Sequence, residues 1–281
     1  MCALKEEIYS QSSGTFNQRY IIVERLDVGG MSIVFKVQDI YREYFNDSKE
    51  LVVKIPTENL LDKEDIAAFM YSEYTFLRDI AHENIVKVYD YGIDNETKIP
   101  FIVMEFLEGN LLEEIPIRKL VDKEKIVAFH KLLDAVNYIH DQGIIHADIT
   151  PKNIVLSKEQ HVTLFDFGIS QTIDIAKDFG LDYKQTKAYN PKYSAPEVLQ
   201  GQTPSLASDI FSFALVFYEV FSGELPFLEN SLELIDQPLT LSSCSNKIPL
   251  FLQNWFVRIL VVDPQKRERK LPLLHTIFNK I

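Results

Sequence analysis

The sequence predicts an α+β chain with a small strand-rich N-terminal part and a larger helical C-terminal part. Three observations carry this. Between residues 20 and 105 the apolar residues fall mostly in short β-branched runs. Between residues 123 and 262 they recur mainly at helical spacing. Gly109 and Asn110 then mark the end of the last strand of the first part, where a domain boundary is expected. A length of 281 residues suits one large domain or two lobes, and a hydrophobic content of 46% can bury a sizeable core.

Residues 1–15 are polar, with Ser10, Ser12, Ser13 and Gly14, and are expected to form a flexible lead-in, with order beginning near Phe16. Tyr20 to Leu26 and Ile33 to Val37 read as the strands of a hairpin. Asp27 to Ser32 joins them through Gly29 and Gly30; glycine lets backbone amides approach an anion, so this turn is either a phosphate cover or an ordinary hairpin turn. Leu51 to Ile55 reads as a buried strand carrying one lysine, Lys54, which needs a partner because an unpaired buried charge is costly. Glu64 to Ile80 has helical spacing through Ile66, Phe69, Met70, Phe76, Leu77 and Ile80, with Glu73 inside it. Val86 to Tyr91 and Phe101 to Glu105 read as two further strands.

In the second part, Lys123 to His140 is an amphipathic helix, and Gly143 suits the left-handed cap that ends it. Ile154 to Leu156 and Val162 to Phe165 read as short strands joined by the polar turn Ser157 to His161. Ser170 to Asn190 reads as a mobile polar loop. Ser208 to Phe221 is apolar nearly all round, so it is expected to be buried. A short helix is placed near Ser231 to Ile235, an amphipathic one at Pro249 to Val262, and a last short one at Leu271 to Ile281. No internal repeat is visible.

A net charge of -12 argues against a nucleic-acid binder. Cys2 and Cys244 are too few for a disulfide framework or a zinc site, so a reducing compartment is expected. The N-terminus lacks the apolar run of a signal peptide. The longest strongly apolar stretch, Ile210 to Phe221, is interrupted by Ser212 and Glu219 and is too short to span a bilayer. These features point to a soluble, cytoplasmic protein; a secreted or host-delivered effector would carry the same composition. Oligomeric state is not legible.

The chemistry is concentrated between Ile144 and Gly168. Asp148, Asn153 five residues on, and Asp166 before Phe167-Gly168 sit on loops held by the small hairpin, where catalytic groups are commonly placed. An aspartate that orients a hydroxyl and takes its proton, with an amide oxygen and a second carboxylate for a hard cation, is the equipment of phosphoryl transfer. The order resembles H-x-D-x-x-x-x-N followed by D-F-G of the protein kinases. Further landmarks in the same order extend the resemblance over about residues 16–275. They include Lys54 and Glu73; His82-Glu83-Asn84-Ile85-Val86; the Y-x-A-P-E of Tyr193 to Glu197; Asp209 at the head of the apolar helix; and Asp263-Pro264 with Arg267.

The resemblance implies a protein kinase fold with a β-rich N-lobe over 16–107, a helical C-lobe over 108–281, and ATP in the cleft. It implies ATP and Mg2+, or Mn2+, as cofactors and a protein substrate as partner, with no nucleic acid. Asp148 would be the catalytic base, Asn153 and Asp166 the metal ligands, and Lys152 a source of charge near the transferring phosphate. Lys54, paired with Glu73, would hold phosphates. Asp27, Val28, Gly29, Gly30, Val34, Val52, Met104 and Val155 would line the nucleotide site, and Glu105 and Leu107 would offer backbone groups to the adenine edge. His146 would pack near Phe167, with Leu77 in the same stack, and Arg267 would pair with Glu197.

Departures sharpen this reading. In G-x-G-x-x-G-x-V the places are held by Asp27, Gly29, Ser32 and Val34, so one glycine survives and a carboxylate is added. Val52 stands where alanine is usual. H-R-D reads His146-Ala147-Asp148, which removes the arginine that commonly receives an activation-loop phosphate; a non-RD kinase independent of loop phosphorylation is expected. Thr150 replaces the usual Ser/Thr-kinase lysine, with Lys152 two residues later, and Asn190 replaces a threonine that contacts the catalytic aspartate. Motif style favours serine/threonine over tyrosine as acceptor. A pseudokinase that binds nucleotide or a partner, and a small-molecule kinase sharing H-x-D-x-x-x-x-N, are the rival readings; Glu197 and Arg267 tell against the latter.

Overall fold

The computed structural model describes residues 5, 7–11, 14–47, 49–61, 65–116, 119–172 and 189–267. The chain divides into two compact units. The first takes residues up to 81 and 86–107; the second takes 82–85 and the residues from 108 on.

In the first unit, β1 (Thr15–Phe16), β2 (Tyr20–Val28), β3 (Ser32–Asp39), β4 (Leu51–Pro56), β5 (Val88–Ile93) and β6 (Pro100–Glu105) form a six-stranded antiparallel sheet ordered β1-β2-β3-β4-β6-β5. Side chains alternate between faces along a strand. Phe35, Leu51, Val53, Ile55, Phe101 and Val103 thereby share one core with Phe16 and Tyr20. Gly92 lies opposite Phe101, and a Cβ there would come within 2.6 Å of the ring.

The lead-in expected over residues 1–15 contributes to this core. Glu7–Gln11 forms a helical turn, Ile8 and Tyr9 are buried, and the Tyr9 hydroxyl donates to the Pro56 carbonyl at 3.0 Å. Two apolar side chains inside a polar stretch are enough once a sheet face is there to receive them; local composition does not report that face.

After β3 comes α1 (Ile40–Tyr44), absent from the sequence reading because it buries none of its residues and so has no apolar stripe. Asp39 caps it, accepting the Tyr41 N–H at 3.0 Å and two bonds from Arg19 at 3.0 and 2.7 Å. Helix α2 (Ile66–Arg78) packs on β5 and β6 and buries Ile66, Met70, Glu73 and Leu77 on one stripe. Its expected start at Glu64 lies outside the described residues.

In the second unit, β7 (Asn110–Leu111), β9 (Ile154–Leu156) and β10 (Val162–Leu164) form a small antiparallel sheet, and β8 (Ile144–Ile145) pairs with β11 (Gln171–Thr172). The polar segment read as a loop from Ser170 therefore starts with a strand. Residues 173–188, which include Tyr183 and Thr186, lie outside the described residues, as does the helix expected at 271–281.

The helices are α3 (Asp122–Asp141), α4 (Pro196–Leu199), α5 (Leu206–Ser222) and α6 (Leu250–Ile259). Phe129 of α3 has its ring centre 5.2 Å from those of Phe213, Phe217 and Trp255, which puts an aromatic cluster at the centre of this unit. Helix α5 is buried on nearly all sides. Ser205 caps its start, and Gly223, at φ 89°, ends it in the left-handed conformation. Residues 82–85, read in sequence as part of the first lobe, belong here because Asn84 is tied to β10. Its carbonyl accepts the Leu164 N–H at 2.9 Å, and its Nδ2 donates to the Val162 carbonyl at 2.6 Å. Among the described residues, no helix is long and apolar enough to cross a membrane.

Candidate active site

In the first unit, Lys54 on β4 meets Glu73 on α2. Lys54 Nζ donates to Glu73 Oε1 at 2.7 Å and Oε2 at 2.8 Å, and the two residues are 6% and 3% exposed. At that depth each charge needs the other, so strand and helix are locked at this point. Val34 lies opposite Lys54 on β3, and Val52 lies opposite Met104 across β4 and β6; these four positions share one sheet face.

The turn between β2 and β3 leaves Asp27, Val28, Gly29 and Gly30 exposed, with the Gly29 N–H donating to the Ser32 carbonyl at 2.8 Å. A Cβ on Gly30 would meet nothing within 4 Å. Here glycine supplies open room over the turn, not a special φ. The N–H of Glu105 donates to the Lys87 carbonyl at 3.0 Å. Leu107 closes the unit, half-buried.

In the second unit, Asp148 and Asn153 are joined directly. Asn153 Nδ2 donates to the Asp148 backbone carbonyl at 2.9 Å and to its Oδ2 at 2.8 Å. An amide nitrogen has two protons, and both are used here, so the amide presents its oxygen elsewhere. The Asp148 carboxyl is pushed up to about 7, first by burial and then by the negative charge of Asp166, against the hydrogen bond from Asn153 and the positive charge of Lys152. Lys152 itself is exposed, whereas Thr150 is buried. Asp166, at φ 62°, accepts the Gly168 N–H at 3.3 Å. Val155 is buried in β9 opposite Leu111 and Thr163.

The loop that carries Asp148 is anchored from below by Asp209 of α5. Asp209 Oδ2 accepts the His146 N–H at 2.7 Å and Oδ1 accepts the Ala147 N–H at 2.9 Å, while His140 Nε2 donates to Oδ2 at 2.9 Å. These bonds hold Ala147 at φ 68°, a left-handed conformation that costs a non-glycine residue about 1 kcal/mol.

His146 Nδ1 accepts the Asp148 N–H and its Nε2 donates to the Phe165 carbonyl, each at 3.2 Å. That pattern fits the neutral ring, and complete burial lowers its pKa in the same sense. The His146 ring centre lies 4.5 Å from that of Phe167. Its role is therefore support. The bond from His140 was missed in the sequence because helical spacing reads that residue only as the end of α3.

One substituted position is explained locally. Asn190 Oδ1 accepts the Lys192 N–H at 3.0 Å, so the side-chain oxygen serves its own turn. Glu197 meets Arg267 in a two-pronged pair, Nη1 to Oε1 at 2.6 Å and Nη2 to Oε2 at 2.7 Å, with Arg267 4% exposed.

Comparisons with known proteins follow the same line. The family model described as protein kinase domain matches residues 20–269. The chain is 27% identical over 264 residues to a probable serine/threonine-protein kinase of Clostridium acetobutylicum, covering 89% of this chain and 38% of the relative. It is 26% identical over 261 residues to a probable serine/threonine-protein kinase PknB of Lactococcus lactis, covering 90% and 40%. It is 32% identical over 222 residues to the serine/threonine-protein kinase PknB of Mycolicibacterium smegmatis, covering 76% and 34%. The chain thus spans at most 40% of the length of these relatives. A single family model running from β2 through Arg267, over every landmark described above, means that the chain belongs to the protein kinase domain family.

Proposed function

We propose that this chain transfers the γ-phosphate of ATP to a protein hydroxyl, serine or threonine in preference to tyrosine. The observation that carries the reading is the Asp148–Asn153 arrangement: a half-buried carboxylate with a raised pKa, oriented by an amide, beside a second carboxylate. A carboxylate whose pKa lies near neutrality is matched to taking a proton from an alcohol as the oxygen attacks. The acceptor preference is supported by the names of the relatives.

Each residue's part follows from its chemistry. Lys54, fixed by Glu73, binds the α and β phosphates. Val34, Val52, Met104 and Val155 present apolar surface to the base, and the backbones of Glu105 and Leu107 its polar edge. Asp148 orients the hydroxyl and takes its proton; Lys152 offsets negative charge at the transferring group. The donor set of Asn153 Oδ1 and an Asp166 carboxylate fits Mg2+ or Mn2+, which take oxygen ligands and leave positions for phosphate. When bound, such a cation neutralises phosphate charge.

Ala147 places no cation beside Asp148. We read this as a non-RD enzyme whose activity does not require a phosphate on the segment after Asp166.

The test is transfer of labelled γ-phosphate from Mg-ATP to generic protein substrates, with Asp148→Asn as control and phosphoamino-acid analysis of the product. Label in the wild type that the variant loses supports the reading, and phosphoserine or phosphothreonine supports the acceptor. Absence of label with both Mg2+ and Mn2+ would turn the assignment to a pseudokinase.

A further inference from the structure

Helix α2 is gripped at a second point besides Glu73. Tyr91 of β5 donates its hydroxyl to the Ala67 carbonyl at 3.1 Å. Its ring centre lies 5.1 Å from that of Tyr71 and 5.8 Å from that of Tyr74, which are themselves 6.1 Å apart. The sheet register connects the two points. Lys54 pairs with Ile102, and Ile102 pairs with Tyr91, so Lys54 and Tyr91 stand in one row across β4, β6 and β5.

Residues directly opposite in a sheet project from the same face. Two strand spacings separate the two side chains, about 9.5 Å. Ala67 and Glu73, which they hold, are six residues apart on α2, about 9 Å of rise. The spans match.

The two grips also fall on different sides of the helix. Glu73 belongs to the stripe Ile66, Met70, Glu73 and Leu77, whereas Ala67, Tyr71 and Tyr74 form the neighbouring stripe, about 100° around the axis. One grip alone would let the helix pivot about the Lys54–Glu73 bond. Two grips, separated along the axis and around it, remove both pivoting and rolling.

We propose that Tyr91 is a positioning residue for phosphoryl transfer: through its seat on Ala67, Tyr71 and Tyr74 it sets the rotation of α2 that presents Glu73 to Lys54. This rests on the reading of Lys54 as the phosphate-holding residue. The residue acts through Glu73 and touches neither nucleotide nor acceptor.

Two measurements test it. The first is amide hydrogen exchange over residues 66–78 without nucleotide. Tyr91→Leu should speed exchange in the first two turns about tenfold, and Tyr91→Phe, which keeps the ring and loses the hydroxyl bond, less than about threefold. The second is the KM for Mg-ATP in two backgrounds. Tyr91→Leu should raise it about fivefold in the wild type, and less than about twofold once Glu73→Gln has already released the lysine. Unchanged exchange in Tyr91→Leu overturns the proposal. So do KM factors that simply multiply across the two backgrounds, as a merely structural residue would give. If the wild type transfers no phosphate, the kinase reading fails by itself, and the exchange result still decides whether Tyr91 holds the helix.

Discussion

Among the described residues, each unit pairs a lysine or an arginine with a carboxylate so that both partners are buried, and the two pairs are built differently. In the second unit, Arg267 uses all five of its N–H donors. Besides the two bonds to Glu197, it donates to the carbonyls of Val261, Ala207 and Val262 at 3.0, 3.1 and 3.0 Å, with its guanidinium 4.6 Å from the Phe211 ring centre. A cation saturated by its own protein has nothing left to offer a ligand. In the first unit, Lys54 reaches Glu73 on a flexible four-carbon stem as a compact charge. The shared motif, an ion pair under 10% exposed, is scaffolding in one unit and a holder of phosphate in our reading of the other. What separates them is the cation: a rigid five-donor fork in one unit, a compact charge on a flexible stem in the other.

The widest separation between the pairs should appear in activity. Lys54→Met is expected to lower kcat/KM for ATP by at least about 100-fold, as for loss of a charge that stabilises a phosphoryl group. It should do so in protein that still melts cooperatively. Retention of a tenth or more of the activity would make this pair scaffolding too.

In Glu197→Ala the order reverses. Arg267 loses a carboxylate at a buried site, and stability should fall by about 3 kcal/mol in urea denaturation, softened by the three remaining carbonyls. Activity should decline only as the folded fraction declines. An unchanged midpoint would break the assignment of this pair as a structural bolt.

A half-exposed pair should matter less than either. Asp39, 2% exposed, is raised by burial, but the two bonds from Arg19 and the Tyr41 N–H outweigh this and hold its carboxyl below the ordinary value. A depressed carboxyl contributes stability above its unfolded pKa and loses it as pH falls through the folded one. The stability difference between wild type and Asp39→Asn is therefore expected to be about 1 kcal/mol near pH 7, and to shrink below about pH 4. A difference independent of pH would show that capping of α1, not charge, is what Asp39 supplies.

The smallest effect is expected from the segment after Asp166. Replacing Thr172, Tyr183, Thr186 and Tyr189 together should leave transfer within about threefold of wild type, since Ala147 offers no charge to a phosphate there. Complete loss would overturn independence from loop phosphorylation.

Much of the site was legible because its signals are local. Asp148, Asn153 and Asp166 fall within nineteen residues, and the hairpin between them is written in two apolar runs and a polar turn. The lysine inside a β-branched run announced itself as needing a partner, the resemblance named the glutamate inside the helical period, and the structure joins the two. Asp209, a landmark of the sequence at the head of the apolar helix, accepts the N–H groups of His146 and Ala147. Other features gave no local sign. Ile8 and Tyr9 look like a polar tail until the face of β4 is present. Asn84 sits among residues of the first unit in sequence, yet is tied to β10 by two hydrogen bonds.

The sequence by itself determined the longer elements, their order and the chemical identity of the groups around Asp148, because periodicity, caps and motif spacing are properties of neighbours along the chain. Only the tertiary structure decided how those groups are held. It set Ala147 at a positive φ against the carboxylate of Asp209, made His146 a neutral support, filled every donor of Arg267, and put Tyr91 in the same row as Lys54. Each of these depends on partners tens of residues away, and a hydrogen bond or a burial energy is fixed by where the partner arrives in space, which no local period records.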